Sequence, residues 1–380
     1  MKKKLYTAIG LMSGTSMDGV DLSIIKSDGH DQFFNILDNY HEYNQALKDQ
    51  LISLRNSIFT MNDFLKNSDK LRKLESNLTF FHADIIKQLL KKYKDPIDLI
   101  GFHGQTIFHN PIKKITKQIG DGKLLSQILK KKVVYDFRQA DIDNNGQGAP
   151  LTPIFHYVLS KKIHSRNKIK FPIGFLNIGG ISNVTKIIKL SEEIQQDLSA
   201  FDIGPGNCLI DEWVRNNSKK NIDTNGEIAE SGKIDKLILN QAIENFKTKT
   251  YSQSLDVKDF DISFVRGLTL EDGCATITNF TAYLIAQGLE HACGQNNIKF
   301  LICGGGRKNN YLIHCINKYL SNKNKIILES IDNYNLDGDY IESQAFGYLA
   351  VRSLLNLPIS FKTTTGCDKP VVGGRIVENY

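Results

Sequence analysis

Two stretches of this chain, far apart in sequence, follow one plan, and that plan restricts the folds open to it. The first reads Ile9-Gly10-Leu11-Met12-Ser13-Gly14-Thr15-Ser16-Met17-Asp18-Gly19-Val20-Asp21-Leu22-Ser23-Ile24-Ile25: an apolar strand, a tight turn of glycine and hydroxyl residues, and a returning strand. The second, Phe175-Leu176-Asn177-Ile178-Gly179-Gly180-Ile181-Ser182-Asn183-Val184-Thr185-Lys186-Ile187, repeats strand, turn and strand. Such a turn can wrap a phosphate chain with backbone N–H groups and hydroxyls, while Asp18 stays available to hold Mg²⁺ through water. It is not a P-loop, because no Gly-Lys-Ser/Thr opens a helix after it. A plain hairpin also uses Gly and Ser in its turn, but the density of Ser13, Gly14, Thr15, Ser16, Asp18 and Gly19 exceeds what a hairpin needs. Two such hairpins suggest two related lobes that face one phosphate chain between them.

Further short apolar runs end in glycine: Leu99 to Phe102 before Gly104, Ala200 to Asp202 before Gly204, and Lys299 to Cys303 before Gly304-Gly305-Gly306. Helical stretches such as Leu71 to Tyr93 and Gly273 to Cys293 lie between the strands. Strands alternating with helices predict an α/β architecture, and 380 residues predict two domains. Asp141 to Pro150, with Gly146, Gly148 and Pro150, is the expected boundary. The net charge of +7 comes from lysines interleaved with Asn and Asp, a solvated surface with no basic run set among aromatics, so no nucleic-acid partner is expected. Cys208, Cys274, Cys293, Cys303, Cys315 and Cys367 form no C-x-x-C pair and no zinc spacing, which predicts reduced thiols in the cytosol. Lys2-Lys3-Lys4 and the apolar run after it mimic a signal peptide, but Asp18 and Asp21 follow with no cleavage pattern. No segment approaches the roughly 18 apolar residues of a membrane span. A cytoplasmic protein with no membrane partner is expected.

Three further motifs carry chemistry. In Phe201-Asp202-Ile203-Gly204-Pro205-Gly206-Asn207 a carboxylate ends a short strand before a rigid turn. Asp202 could cap the helix that begins near Leu209 or act as the base that takes a proton from an attacking nucleophile. The turn Gly304-Gly305-Gly306, followed by Arg307-Lys308-Asn309, offers bare backbone to a flat adenine or ribose. In His103-Gly104-Gln105-Thr106-Ile107-Phe108-His109 the two histidines lack a third ligand, and Gln105 and Thr106 suit a polar substrate. Arg138 could grip a carboxylate or form an internal ion pair, and Glu342 could be a favourable charge at a helix start.

Together these pieces resemble the superfamily of actin, heat-shock chaperone ATPases and sugar kinases. Within it the wording is similar to the 1,6-anhydro-N-acetylmuramic acid kinase family. The carrying motifs are Gly10 to Asp21, His103-Gly104-Gln105-Thr106, Asp136-Phe137-Arg138, Gly146-Gln147-Gly148-Ala149-Pro150-Leu151, Asn177 to Asn183, Phe201 to Asn207 and Glu342-Ser343-Gln344-Ala345-Phe346. Ile203, where Thr is expected, and Asn144-Asn145 before Gly146 depart from the pattern.

The resemblance implies a two-lobed actin-like ATPase (ribonuclease H-like) fold with an interdomain cleft. The N-terminal lobe would comprise residues 1–140 plus about 345–380, and the C-terminal lobe residues 141–344. It implies an enzyme of cell-wall recycling that uses ATP, Mg²⁺ and water to turn 1,6-anhydro-N-acetylmuramic acid into N-acetylmuramic acid 6-phosphate. Asp202 would be the base. ATP would be held by Ser13, Gly14, Thr15, Ser16, Met17, Asp18, Gly19, Val20 and Asp21, by Gly179, Gly180, Asn183, Gly204 and Gly206, and by Gly304, Gly305, Gly306 and Asn309. The sugar would meet Gln105, Thr106, Asp121, Arg138 and Glu342, and a homodimer is implied. The rival readings are another sugar or acetate kinase of the superfamily and a non-kinase actin-like ATPase such as a chaperone or repressor. A repressor would want a helix-turn-helix ahead of the first hairpin, and a chaperone a long extension after the second lobe.

Overall fold

Side chains alternate along Tyr6–Ser13 (β1), and each face of that strand meets a different kind of layer. In the computed structural model, which describes residues 4–246, 251–320 and 325–380, the chain divides into two units, Met1–Lys161 with Tyr340–Tyr380, and Lys162–Asp339. In the first unit β1 is followed by Gly19–Ser27 (β2), Phe33–Glu42 (β3), Leu99–Asn110 (β4), Ile115–Ile119 (β5) and Lys132–Tyr135 (β6). The sheet runs β3-β2-β1-β4-β6 and ends on the strand Arg375–Val377, with β5 pairing off β4. Strands β1, β2 and β3 pair antiparallel, whereas β4 lies parallel to both β1 and β6.

On one face Ile9 and Leu11 join a core with Leu47, Leu51 and Leu54 of helix Gln45–Ser57 (α1) and Leu74 and Leu78 of helix Ser68–Lys92 (α2). On the other, helix Ile341–Leu354 lies against bare glycine. A Cβ on Gly10 would stand 1.9 Å from the Ser343 carbonyl oxygen, and one on Gly101 would stand 2.3 Å from that of Phe346. Glycine here admits a helix closer than any side chain would allow.

The second unit repeats the plan with Ile173–Ile178 (β7), Ile181–Ile187 (β8), Leu198–Pro205 (β9), Ile298–Cys303 (β10) and Ile326–Ser330 (β11). Its order is β11-β10-β7-β8-β9, again with an antiparallel meander of three strands and two parallel strands beyond the first. Leu176, Ile178, Val184 and Ile203 share its core with residues of helix Leu270–Cys293. The α/β fold is therefore a ribonuclease H-like sheet present twice, as the resemblance implied, with one of the two hairpins in each sheet.

Two strands run further than their glycines suggested. Strand β4 continues through Gly104 to Asn110, with Gly104 at φ 75°, because β5 runs alongside and a Cβ there would meet the Ile119 carbonyl oxygen at 2.4 Å. Strand β9 continues through Gly204 to Pro205, and the next helix, Cys208–Asn217, has Asn207 at its N-cap, so Asp202 is not that helix's cap. The Asp141 to Pro150 stretch lies inside the first unit. There the buried Asp141 carboxylate accepts from the Gly148 N–H and the Thr365 hydroxyl, both at 2.7 Å, and from the Ser360 hydroxyl. All six cysteines are free and buried.

Candidate active site

The first turn is pinned from behind. The Gly14 carbonyl accepts from the Gln105 side-chain amide (2.9 Å) and the Met17 N–H (3.3 Å). The Thr15 carbonyl accepts from Arg55 Nη1 (2.9 Å), and the Asp18 carbonyl from the Tyr43 N–H (2.8 Å). A trans peptide is planar, so its N–H points opposite to its C=O. Each tethered carbonyl therefore turns the following N–H, those of Thr15, Ser16 and Gly19, the other way. Among the described residues the N–H groups of Gly14, Thr15, Ser16 and Asp18 have no protein acceptor. A run of backbone donors without protein acceptors can receive an anion.

The turn's side chains are less uniform than expected. Met17 and Val20 are fully buried, so only their backbones can face a ligand. The Ser13 hydroxyl is buried against the Tyr43 hydroxyl at 2.6 Å. Asp18 remains partly exposed and accepts from Ser16 Oγ at 2.7 Å through one carboxylate oxygen. Asp21 lies within β2, opposite Met12 on one side and Tyr40 on the other.

Beside the turn, β4 carries a bulge: Phe102 pairs with Leu11 and Gln105 with Ser13, so two residues of β4 oppose one of β1. The bulge holds His103. Its Nδ1 lies 2.8 Å from the Gly104 carbonyl, and Nε2 accepts from Arg138 Nε and Nη2, both at 3.1 Å. Burial and the Arg138 charge hold His103 well below its ordinary pKa, so it is neutral. Arg138 also donates from Nη1 to the Gly148 carbonyl at 2.9 Å. Burial raises the pKa of Glu342, and the Arg138 charge opposes the rise. Gln105 is fully buried and its Oε1 has no partner. Thr106 Oγ1 accepts from Gln118 at 3.3 Å. Asp121 caps the helix Gly122–Leu129, one carboxylate oxygen accepting from the N–H groups of Lys123 (2.9 Å) and Leu124 (3.0 Å).

The second unit reproduces the pinned turn. The Gly179 carbonyl accepts from the Asn207 N–H (2.8 Å), and the Gly180 carbonyl from those of Gly206 (2.8 Å) and Cys208 (3.2 Å). Gly206 is required for this closure, since a Cβ there would stand 2.2 Å from the Gly179 oxygen. In β9 Asp202 pairs with Asn183 of β8, and Gly204 pairs with Ser182, so Ile203 is a bulge residue between them. Ile203 turns into the core, where a Cβ on Gly288 would touch it at 2.5 Å, and an apolar side chain fits this position. Asp202 is buried and accepts from the Leu255 N–H at 2.9 Å, while the facing Asn183 keeps a buried Oδ1 without a partner. Of the three consecutive glycines, Gly304 and Gly306 pack on β7: added Cβ atoms would meet Asn177 Oδ1 at 2.4 Å and Ile178 Cγ2 at 2.2 Å. Only Gly305 opens onto space, with nothing within 4 Å of an added Cβ. Asn309 Oδ1 accepts from the Leu312 N–H at 2.9 Å, within helix Asn310–Leu320.

A family model described as anhydro-N-acetylmuramic acid kinase matches residues 6–379. The protein of that name from Pelagibacter ubique (strain HTCC1062) is 52% identical over 383 residues, with 100% of both chains covered. The chain belongs to the anhydro-N-acetylmuramic acid kinase family. Proteins of the same name from Brucella canis, 37% identical over 97% of this chain and 98% of theirs, and from Zymomonas mobilis, 38% identical over 97% and 99%, are further relatives. Among solved structures, the hexokinase from Schistosoma mansoni complexed with glucose is similar at a TM-score of 0.40 and 9% identity, over 91% of this chain and 85% of that one. The activator of the 2-hydroxyisocaproyl-CoA dehydratase from Clostridium difficile with bound ADPNP is similar at 0.38 and 11%, over 92% and 96%. At these scores neither adds to the topology read from the sheets. As a member of the anhydro-N-acetylmuramic acid kinase family the chain is a phosphotransferase with an alcohol group as acceptor. None of its described helices is long and apolar enough to cross a membrane.

Three residues of this anhydro-N-acetylmuramic acid kinase family member escaped the sequence reading: Tyr43, Arg55 and, in its role, His103. Arg55 looks like an ordinary basic residue in the last turn of a helix. One of its partners is a backbone carbonyl 40 residues away, which no local pattern announces.

Proposed function

We propose that this chain is an ATP-dependent cytoplasmic kinase that opens the 1,6-anhydro ring of 1,6-anhydro-N-acetylmuramic acid with water and phosphorylates O6. The products are N-acetylmuramic acid 6-phosphate and ADP, in recycling of peptidoglycan. The observation that carries the phosphate-binding part is the pair of turns whose carbonyls are tied to the protein and whose N–H groups are turned away from it. Ser13, Gly14, Thr15, Ser16, Met17, Asp18, Gly19, Val20 and Asp21, with Gly179, Gly180, Asn183, Gly204 and Gly206, are assigned to the phosphates. Gly304, Gly305, Gly306 and Asn309 are assigned to the adenosine, with Gly305 the open contact.

Mg²⁺ takes few carboxylates and keeps several waters. A partly exposed Asp18 beside a cradle of N–H donors fits it. Bound there, the ion supplies neutralising charge for the phosphate chain.

Asp202 takes a proton from the attacking water, whose oxygen bonds to C1 as the C1–O6 bond breaks. O6, carrying that electron pair, attacks the γ-phosphorus, and ADP leaves with the electrons of the broken P–O bond. The proton on Asp202 then passes to solvent. Gln105, Thr106, Asp121, Arg138 and Glu342 are assigned to the sugar. The buried, unpartnered Gln105 oxygen supports a donor from the ligand at that atom. Asp121 has only one carboxylate oxygen outside its capping role.

Turnover in ¹⁸O-labelled water tests the coupled reaction. The label is expected at C1, and its absence would leave an ordinary sugar kinase of the superfamily. Asp202→Asn is expected to lower kcat by about 10²–10⁴-fold, and retained activity would remove Asp202 from the mechanism. A homodimer is part of the proposal, and a monomer mass in sedimentation equilibrium would refute it.

A further inference from the structure

We infer that Arg55 is a positioning residue for phosphate binding, supplying from behind the backbone the positive charge that this turn lacks within itself. The inference rests on the reading that ATP sits on the Gly14 to Asp21 turn. The turn holds Asp18 and Asp21 and no lysine or arginine. Arg55 reaches it from α1, a helix anchored in the core by Leu47, Leu51 and Leu54, and its Nη1 donates to the Thr15 carbonyl at 2.9 Å.

Two consequences follow from that bond. Because the Thr15–Ser16 peptide is planar and trans, holding its C=O on the protein side directs the Ser16 N–H outward. A carbonyl that accepts from a cation also polarises its own peptide, which makes that N–H a stronger donor to an anion. Gln105 gives the preceding peptide, Gly14–Thr15, the same orientation without a charge. Arg55 therefore acts on ATP through the Ser16 N–H and has no part in recognising the sugar.

Titration with a non-hydrolysable ATP analogue, together with separate KM values for ATP and sugar, tests this. Arg55→Ala is expected to weaken analogue binding and raise the KM for ATP about tenfold, with the sugar KM changed by less than about twofold. Arg55→Lys, which keeps a point charge, is expected to bind the analogue better than Arg55→Gln, which keeps only a neutral donor. A residue with a merely structural role would move the melting temperature and both KM values together. Analogue affinity unchanged in Arg55→Ala, or equal in the Lys and Gln variants, overturns the inference, and the Lys–Gln pair decides it if the Ala variant does not fold. Asp18→Ala separates the two claims. Affinity lost in Asp18→Ala but kept in the Arg55 variants removes only the role of Arg55, whereas affinity kept in all of them removes the turn from ATP binding.

Discussion

His103 and Glu342 face the same guanidinium with opposite electrostatic histories. Burial and Arg138 keep the imidazole neutral, and a neutral ring is what allows Nε2 to accept two N–H groups of Arg138. His103→Leu removes that acceptor and should raise the sugar KM about tenfold with little change for ATP. His103→Gln, which restores an acceptor, should recover part of the loss, and equal effects on both substrates would contradict the assignment. Glu342 is an acid whose folded-state pKa is raised by burial. Its native form holds its proton to higher pH than the unfolded form does, so stability falls as pH rises above the unfolded value of about 4.3. Glu342→Gln should therefore melt higher than the parent at pH 8, by about 2–4 °C per kcal/mol recovered, and lose that advantage as the pH approaches 4. A pH-independent difference in calorimetry would rule this out. Gln105, Arg138 and Glu342 were visible in the sequence as residue types in motifs. The surroundings of each were not, because burial and hydrogen-bond partners come from distant strands.

At the scale of elements, glycines that look alike in sequence divide into two kinds. Gly10 is where helix Ile341–Leu354 lies on β1, and a methyl group there must displace backbone. Gly10→Ala should cost about 1–3 kcal/mol or more, seen as a lower urea midpoint. Gly305 touches nothing. Gly305→Ala should leave the unfolding free energy within about 0.5 kcal/mol while raising the KM for ATP, and an unchanged KM would show that no ligand lies against that position. Strand and helix positions were largely legible from apolar periodicity and flanking glycines: the run Lys299 to Cys303 before the triple glycine is β10, Ile298–Cys303. The extensions of β4 and β9 past Gly104 and Gly204 were not. A glycine that ends a strand and one that makes room for a neighbouring backbone carry the same letter.

Over the whole molecule, the repeated hairpin predicted two related lobes, and each sheet is built around one such hairpin; the order of the parallel strands beyond it was not legible, because those pairings join residues far apart in the chain. The resting place of the Asp141–Pro150 stretch did not follow, since Asp141 is anchored by residues more than 200 positions later. Acid sensitivity is a property at this scale. Burial lowers His82 to about 4 and His156 to about 3, and it also lowers His103; all three belong to the first unit. Below about pH 6.5 the unfolded chain binds protons that these rings refuse, so stability drops by about 1.4 kcal/mol per pH unit for each of them. Urea midpoints should fall steeply from pH 7 to 5, and His156→Leu should make the drop shallower. A flat profile over that range would show that these rings are not neutral in the folded state.

The first unit closes only when Tyr340–Tyr380 returns to it. On the ribosome, the strands around Gly10 and Gly101 are made first, and the helix that lies against them follows only after the second unit. All of Lys162–Asp339 is synthesised in between. A nascent chain therefore carries an uncovered β-sheet face while the whole second unit is made, the kind of surface that a chaperone holds and that a stop within that unit leaves permanently exposed.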